Sequence, residues 1–260
     1  MNHENSQPLR RFLVLDTSTA CLALAVMEND RVLHALKASG ERNHSVHLLP
    51  LTKKVLQEAG IAMSELDGIA VGVGPGSYTG TRIAVTGAKT LAWASNIPIS
   101  GISSIHALAW SGLETGLAKL TSVDEKLRWI VPMIDARRGQ AYTALFTTQG
   151  QKQPLRMKDD GIRLMQQWLE ELELLLEQTP QEEQPDEIWF VGEPNQHIEL
   201  LEQPRLLMDG KIHIIPCDME GAPVGRLGAD TLMQGNYDDL HTLVPNYTQL
   251  AEAEKLLHKP

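Results

Sequence analysis

The 260-residue sequence predicts an α/β fold made of two related halves, the second of them reduced. Three observations carry this reading. Short β-prone apolar runs alternate with helix-period segments, the pattern of sheets covered by helices. "RFLVLDTSTACLALAV" (residues 11–26) and "RWIVPMIDARRGQAYTALF" (128–146) share one plan: an apolar run ending in an acid, a polar turn, a second apolar run. After the second copy, clear strand–helix units become fewer than after the first.

Taken in order, residues 11–16 read as a buried strand closed by Asp16. The turn Asp16-Thr17-Ser18-Thr19 leads to a second strand, and Asn29-Asp30 to a third over 29–39, an antiparallel meander. A helix over 47–59 ends at Gly60, and Pro50 restricts its start, because proline is tolerated only in a first helical turn. "LDGIAVGVG" is a buried strand, and "GTRIAVTGAKTLAWASN" a helix stopped by Asn96 with Pro98 beyond. A strand over 97–103 and a helix over 104–117 follow. The second copy supplies two strands within 128–146, then an amphipathic helix over 162–177 and a Pro/Glu/Gln-rich loop over 179–187. Strands over 188–192 and 213–216, a helix over 224–234 and a short helix in "LVPNYTQLAEAEKLL" complete the chain. The division is a disordered tail over 1–10, domains over 11–103 and 104–225, and a helical segment over 226–260 packing back on the first domain.

Composition narrows the function. Formal net charge is −10, which argues against a chain that grips RNA by itself, since Lys and Arg contacts to phosphate dominate that affinity. No apolar run approaches the roughly 20 residues that span a bilayer, and the polar start "MNHENSQPLRR" has no apolar signal region, so a cytoplasmic protein is expected. Two cysteines, Cys21 and Cys217, make neither a disulfide framework nor a zinc site.

Several residue groups could carry chemistry. "GVGPGSYTGTR" (72–82) joins a strand to a helix, with Gly72, Gly74, Gly76 and Gly80. Its spacing matches neither the dinucleotide fingerprint nor the P-loop. It is either a tight turn with the helix capped by Ser77 or Thr79, or a site where free amides bind an anion. Asp16 and Asp135 each end a strand before a turn; they either cap those turns or hold Mg²⁺ through water while turn amides cradle phosphates. His44 and His47 are a ligand pair or a polar helix entrance. Ala84, Ala88 and Ala92 form an i+4 row with Gly87 beside it, and the preceding helix offers Leu48, Leu51, Val55 and Leu56. That row is packing within the chain or a face for a partner protein.

In order along residues 12–253, "LVLDTSTACLALAV", "HSVHLLPL", "GVGPGSYTGTRIAVTGAKTLA", "GISSIHALA", "IDARRGQAYTALF" and "VPNYTQLAEA" resemble the bacterial TsaB (YeaZ) family of tRNA threonylcarbamoyladenosine biosynthesis proteins. The resemblance implies the actin/hexokinase/Hsp70-like (ASKHA) fold, two duplicated domains with mixed five-stranded sheets. It puts Asp16, Thr17 and Ser18 in a first phosphate turn, Asp135 and Gly139 in a second, and Gly192 near an adenosine loop. It implies a non-catalytic subunit, without catalytic residues or metal of its own. With TsaD and TsaE such a subunit supports threonylcarbamoyl transfer to A37 of tRNAs reading ANN codons, meeting tRNA indirectly. The H-x-x-x-H metal pair of TsaD is not matched by His44 and His47. The implied partner face comprises His47, Leu48, Leu51 and Val55 of the first helix with Arg82, Ala84, Gly87, Ala88, Leu91 and Ala92 of the second. That face would bind TsaD, or form a homodimer when TsaD is absent. No tight cofactor is implied, only weak ATP or ADP with Mg²⁺ at the partner interface. The competing readings are an ATP-dependent enzyme of the kinase-like superfamily and, more remotely, a metallopeptidase.

Overall fold

An unbroken apolar run such as Phe12 to Leu15 suits a strand covered on both faces, and the chain places it at the centre of a sheet. The structure is a computed structural model and describes residues 9–39, 44–122, 124–203 and 208–248. In the first half, β1 (Arg11–Asp16), β2 (Cys21–Glu28) and β3 (Arg31–Ser39) form the meander. They are followed by α1 (His44–Ala59), β4 (Gly68–Gly74), α2 (Tyr78–Ser95) and β5 (Ile99–Ser103). The helix α3 (Ser104–Leu117) leads into β6 (Leu127–Asp135), β7 (Gln140–Gln149), β8 (Leu155–Leu164) and α4 (Met165–Gln178). Then come β9 (Glu187–Gly192), α5 (Ile198–Leu201), β10 (Ile212–Pro216) and α6 (Gly221–Met233).

The two halves repeat one mixed sheet, in the order β3-β2-β1-β4-β5 and β8-β7-β6-β9-β10. In each, the first strand pairs antiparallel with the second and parallel with the fourth. This is the ASKHA arrangement expected. The reduction of the second half lies in a helix, not in the sheet: where the first half has α2, of 18 residues, the second has α5, of 4.

Helices separate the sheets into layers. Leu13, Leu15, Ile69 and Val71 on one face of the first sheet pack under α1 and α2. The opposite face, with Phe12, Val14 and Ala70, packs on α6 and α3, and α3 also covers Ile130, Ile134 and Val191 of the second sheet. The far side of that sheet is closed by Trp168, Leu169, Leu172 and Leu176 of α4. α6 thus packs on the strands of the first sheet and on α3. The division drawn at residue 225 cuts through this helix. After α6 the chain returns along the first half: Asp238 pairs with Ile99, its carboxylate accepts the Gly101 amide at 2.7 Å, and Asn246 N donates to Val73 O at 2.8 Å.

Two local expectations need correction. α1 already begins at His44, with Pro50 inside it. The freed carbonyl of Val46 lies on the solvent side, where that residue is 65% exposed and water can satisfy it. Residues 155–164, part of which was expected to be helical, form β8, and helix starts only at Met165. As an edge strand β8 carries charges and Gly161 with no fully buried face, so its apolar signal is weak. The short helix expected at the end of "LVPNYTQLAEAEKLL" lies outside the described residues.

Candidate functional site

The end of β1 is a buried polar knot. Asp16, Thr17 and Ser18 are each 0% exposed. The Asp16 carboxylate accepts the Ser104 hydroxyl and the Ser18 amide, both at 2.6 Å. Burial pushes its carboxyl up, against the pull of those hydrogen bonds. Thr17 Oγ1 donates to Gly80 O at 2.6 Å, and Ser77 N donates to Ser18 O at 2.7 Å. The glycine-rich loop is what packs on this turn. A Cβ on Gly80 would lie 1.9 Å from Thr17 O, one on Gly76 2.4 Å from Ser18 O, and one on Gly72 1.8 Å from Asp16 Oδ2. Ser77 caps α2, its Oγ accepting the Gly80 amide at 3.2 Å.

The end of β6 is open by contrast. The Asp135 side chain is 29% exposed, and its Oδ1 accepts the Arg137 amide at 3.0 Å. Arg137, Arg138 and Gly139 follow with φ of 64°, 54° and 73°. Three consecutive left-handed residues, two of them not glycine, are an uncommon turn. His197 is buried with Nε2 3.9 Å from Asp135 Oδ1, and burial holds its imidazole below the ordinary value. Glu193 lies alongside. Its carboxylate accepts the Asp135 amide at 3.1 Å. Burial is the largest cause of its raised carboxyl, reinforced by the charges of Asp135 and Asp218. Gly192, at φ 98°, is wedged against its own fold, since a Cβ there would lie 2.6 Å from Met133 O. Between the two turns is a cleft of ≈ 720 Å³, lined by Ser18, Gly76, Tyr78, Asp135, Arg137 and Glu193 among others. Thus the cleft brings Ser18 and Asp135 to one cavity, while the Asp16 carboxylate is sealed behind Ser104 and the glycine loop.

The partner face also divides. Leu48, Val55, Ala84, Ala88 and Ala92 are buried in the core between the helix pair and the first sheet, so they are corrected to internal packing residues. Small side chains on α2 let the sheet and α1 approach, and a Cβ on Gly87 would meet Leu48 Cδ2 at 2.5 Å. His47 is exposed, and Leu51, Gly87 and Leu91 are half-buried. Arg82 is exposed but engaged: Nε donates to the Tyr247 hydroxyl at 2.8 Å, and its guanidinium lies 3.9 Å from the Tyr78 ring centre. The apolar residues actually turned outward are Val46 (65% exposed) and Leu49 (57%) on α1 and Trp93 (72%) on α2. Leu49, Lys53, Ile61, Met63 and Leu91 line a groove of ≈ 600 Å³. An apolar circumference signalled that α1 had surplus apolar surface, but not which side was surplus. His44 Nε2 lies 3.3 Å from Thr19 O, and His47 points to solvent. Among the described residues no three His, Cys, Asp or Glu side chains gather into a ligand set.

Comparison with known proteins places this architecture. The family model for TsaD, tRNA N6-adenosine threonylcarbamoyltransferase, matches residues 36–201. The tRNA threonylcarbamoyladenosine biosynthesis protein TsaB of Bacillus subtilis is 34% identical over 247 residues, 93% of this chain and 95% of that protein. The protein of the same description from Haemophilus influenzae is 31% identical over 50% of this chain and 51% of its own length. The crystal structure of an uncharacterized protein with similarity to peptidase YEAZ from Pseudomonas aeruginosa shares the fold. Its TM-score is 0.71 at 23% identity, covering 92% of this chain and 100% of that one. With the Bacillus subtilis protein 34% identical over 95% of its length, the chain belongs to the TsaB (YeaZ) family of tRNA threonylcarbamoyladenosine biosynthesis proteins.

Proposed function

We propose that this chain acts in threonylcarbamoyl modification of tRNA as a partner-binding subunit, docking on a TsaD-type transferase through the outward face of α1 and α2. The observation that carries the reading is the exposure of Val46, Leu49 and Trp93 on this helix pair, beside the Leu49–Leu91 groove. Large apolar side chains at that exposure, next to a groove, suit a protein interface. A second copy of the chain would cover the same face when TsaD is absent. Membership in the TsaB family supports the modification pathway, and the net charge of −10 supports contact with tRNA through the partner rather than directly. TsaE completes the system. ATP or ADP with Mg²⁺ binds only weakly, at the joint with the partner, because the first turn is filled by Gly76 and Gly80 of its own chain.

Reconstitution of A37 modification with TsaD and TsaE, with and without this chain, tests the role: modification should require it. Leu49→Glu and Trp93→Glu should lose co-elution with TsaD while keeping the wild-type melting temperature. Co-elution of both would refute the docking face. A second reading, an ATP-dependent enzyme, is favoured by the ≈ 720 Å³ cleft alone. Turnover of ATP by the purified chain, abolished in Asp135→Ala, would establish it.

A further inference from the structure

Two adjacent serines join β5 to α3. Ser104 is 0% exposed; its hydroxyl donates to the Asp16 carboxylate at 2.6 Å and accepts the Gly74 amide at 3.0 Å. Ser103, the last residue of β5, reaches instead to the second half. Its Oγ donates to Asp160 Oδ2 of β8 at 2.6 Å and accepts Arg156 Nη2 and the His106 amide, both at 3.1 Å. A serine hydroxyl has one proton and two lone pairs, so its whole capacity is used. Arg156 and Asp160 are themselves ion-paired, and the Arg156 guanidinium lies 4.7 Å from the Phe146 ring centre. The His106 ring of α3 stacks on the same phenylalanine, centroids 4.7 Å apart, with Nε2 2.7 Å from Pro154 O.

The edge strand is shaped for this contact. Along a regular strand residues two apart share a face, yet Lys158, between Arg156 and Asp160, reaches Glu171 of α4 on the far side of the sheet at 3.6 Å. The β7–β8 pairing shifts register on both sides of the Leu145–Lys158 pair. Those two irregularities turn Lys158 to α4 and leave Arg156 and Asp160 facing β5 and α3. The apolar core around α3 holds the halves together, whereas this contact is polar and partly exposed, with the Arg156 side chain at 28%. A contact of that kind adds little to global stability and can open without unfolding the chain.

We propose that Ser103, Arg156 and Asp160 are a releasable latch that sets the opening between the two halves, and that Ser104 ties this latch to the first turn. With it closed, the halves stand at one angle and the cleft lined by Ser18 and Asp135 has one width. With it released, they rock about the apolar core around α3. The inference goes beyond partner docking and uses neither the groove nor the exposed side chains of α1 and α2.

Electron–electron resonance distances in the full chain test it, between spin labels at the exposed positions Lys54 on α1 and Glu170 on α4, the two outermost layers. Attachment through p-acetylphenylalanine leaves the free cysteines Cys21 and Cys217 untouched. The chain without further substitution should give one narrow distance distribution. Ser103→Ala, Arg156→Met and Asp160→Asn should each broaden and displace it. Ser103→Ala combined with Arg156→Met should go no further than either alone, because both open one contact. Lys158→Met, on the same strand but turned to α4, should leave the distribution unchanged. Unchanged distributions in Arg156→Met and Asp160→Asn, with wild-type melting curves, would overturn the proposal. Those two variants decide the matter if Ser103→Ala, which also removes the acceptor of the His106 amide, fails to fold. Equal broadening in Lys158→Met would overturn it too, since β8 would then be loose as a whole. Co-elution with TsaD reads a different face, so failure here leaves the docking reading standing.

Discussion

After β1 the chain reads Asp16-Thr17-Ser18-Thr19; after β6 it reads Asp135-Ala136-Arg137-Arg138-Gly139. Each begins with an acid at the end of a central strand, and each acid accepts the amide two residues on: Ser18 N at 2.6 Å and Arg137 N at 3.0 Å. The local turn chemistry is shared; the surroundings are not. The first turn lies under the glycine-rich loop that starts α2, with two backbones close enough that Gly80 leaves no room for a Cβ. The second half has only the single turn α5 in that place, so its turn stays open to the cleft. What a strand-ending aspartate does is therefore decided by the helix that follows in its half. One copy has become a structural node, the other an exposed turn.

Substitutions at matched positions can break this comparison. The largest effect is expected for Gly80→Ala, where backbone cannot give way: a loss of about 3 kcal/mol or more in urea unfolding. Gly139→Ala, at φ 73° but with only the far end of Leu164 at 3.5 Å, should cost about 1 kcal/mol. Equal losses would show the two turns to be packed alike. On the helix pair, Leu48→Ala should cost ~2–4 kcal/mol as a core cavity, whereas Leu49→Ala one residue away should stay within ~0.5 kcal/mol. Asp16→Ala, which strands the buried Ser104 hydroxyl and Ser18 amide, should cost about 2 kcal/mol, and Asp135→Ala under 1 kcal/mol. A larger loss at Asp135 would invert the assignment.

Acid should distinguish the regions more gently. Burial holds the imidazoles of His197, beside the second turn, and His106, at the joint of the halves, below their ordinary 6.5. The unfolded chain then takes up protons that the folded chain refuses, so their contribution to stability is present at neutral pH and is lost as pH falls below about 6.5. The melting temperature should decline between pH 7.5 and 5.5, and less so in His197→Gln; an unchanged slope would remove His197 as a cause. The smallest effect is expected for Tyr247→Phe, which deletes the acceptor of Arg82 Nε on the surface. Global melting should not change, while hydrogen exchange at the Asn246 amide should quicken as the returning segment loosens.

Much of the frame was legible because it depends on local rules. Ser77 caps α2 and Asn96 ends it in the left-handed conformation, as their residue types suggest. The repeated strand–acid–turn–strand plan announced two sheets, and both are present. Strand β8 was hidden because an edge strand buries too little to show alternation, and Asp159, Asp160 and Gly161 resemble a loop. Pro50 misplaced the start of α1 because its cost depends on whether water reaches the freed carbonyl, a matter of surface position. Glu193 carried no signal at all. Its amide partner, Asp135, lies 58 residues away in sequence, as their numbers show.

The sequence alone determined the duplicated α/β plan, the cap and the end of α2, and the family to which its motifs belong, because periodicity and turn chemistry act between near neighbours. Tertiary structure decided which side of α1 and α2 is core: Leu48, Val55 and Ala88 inward, Val46, Leu49 and Trp93 outward. It also decided which aspartate is sealed and which lines the cleft. A helix apolar around most of its circumference has no preferred face until a sheet lies against it, and a charge has no partner until distant turns converge on it.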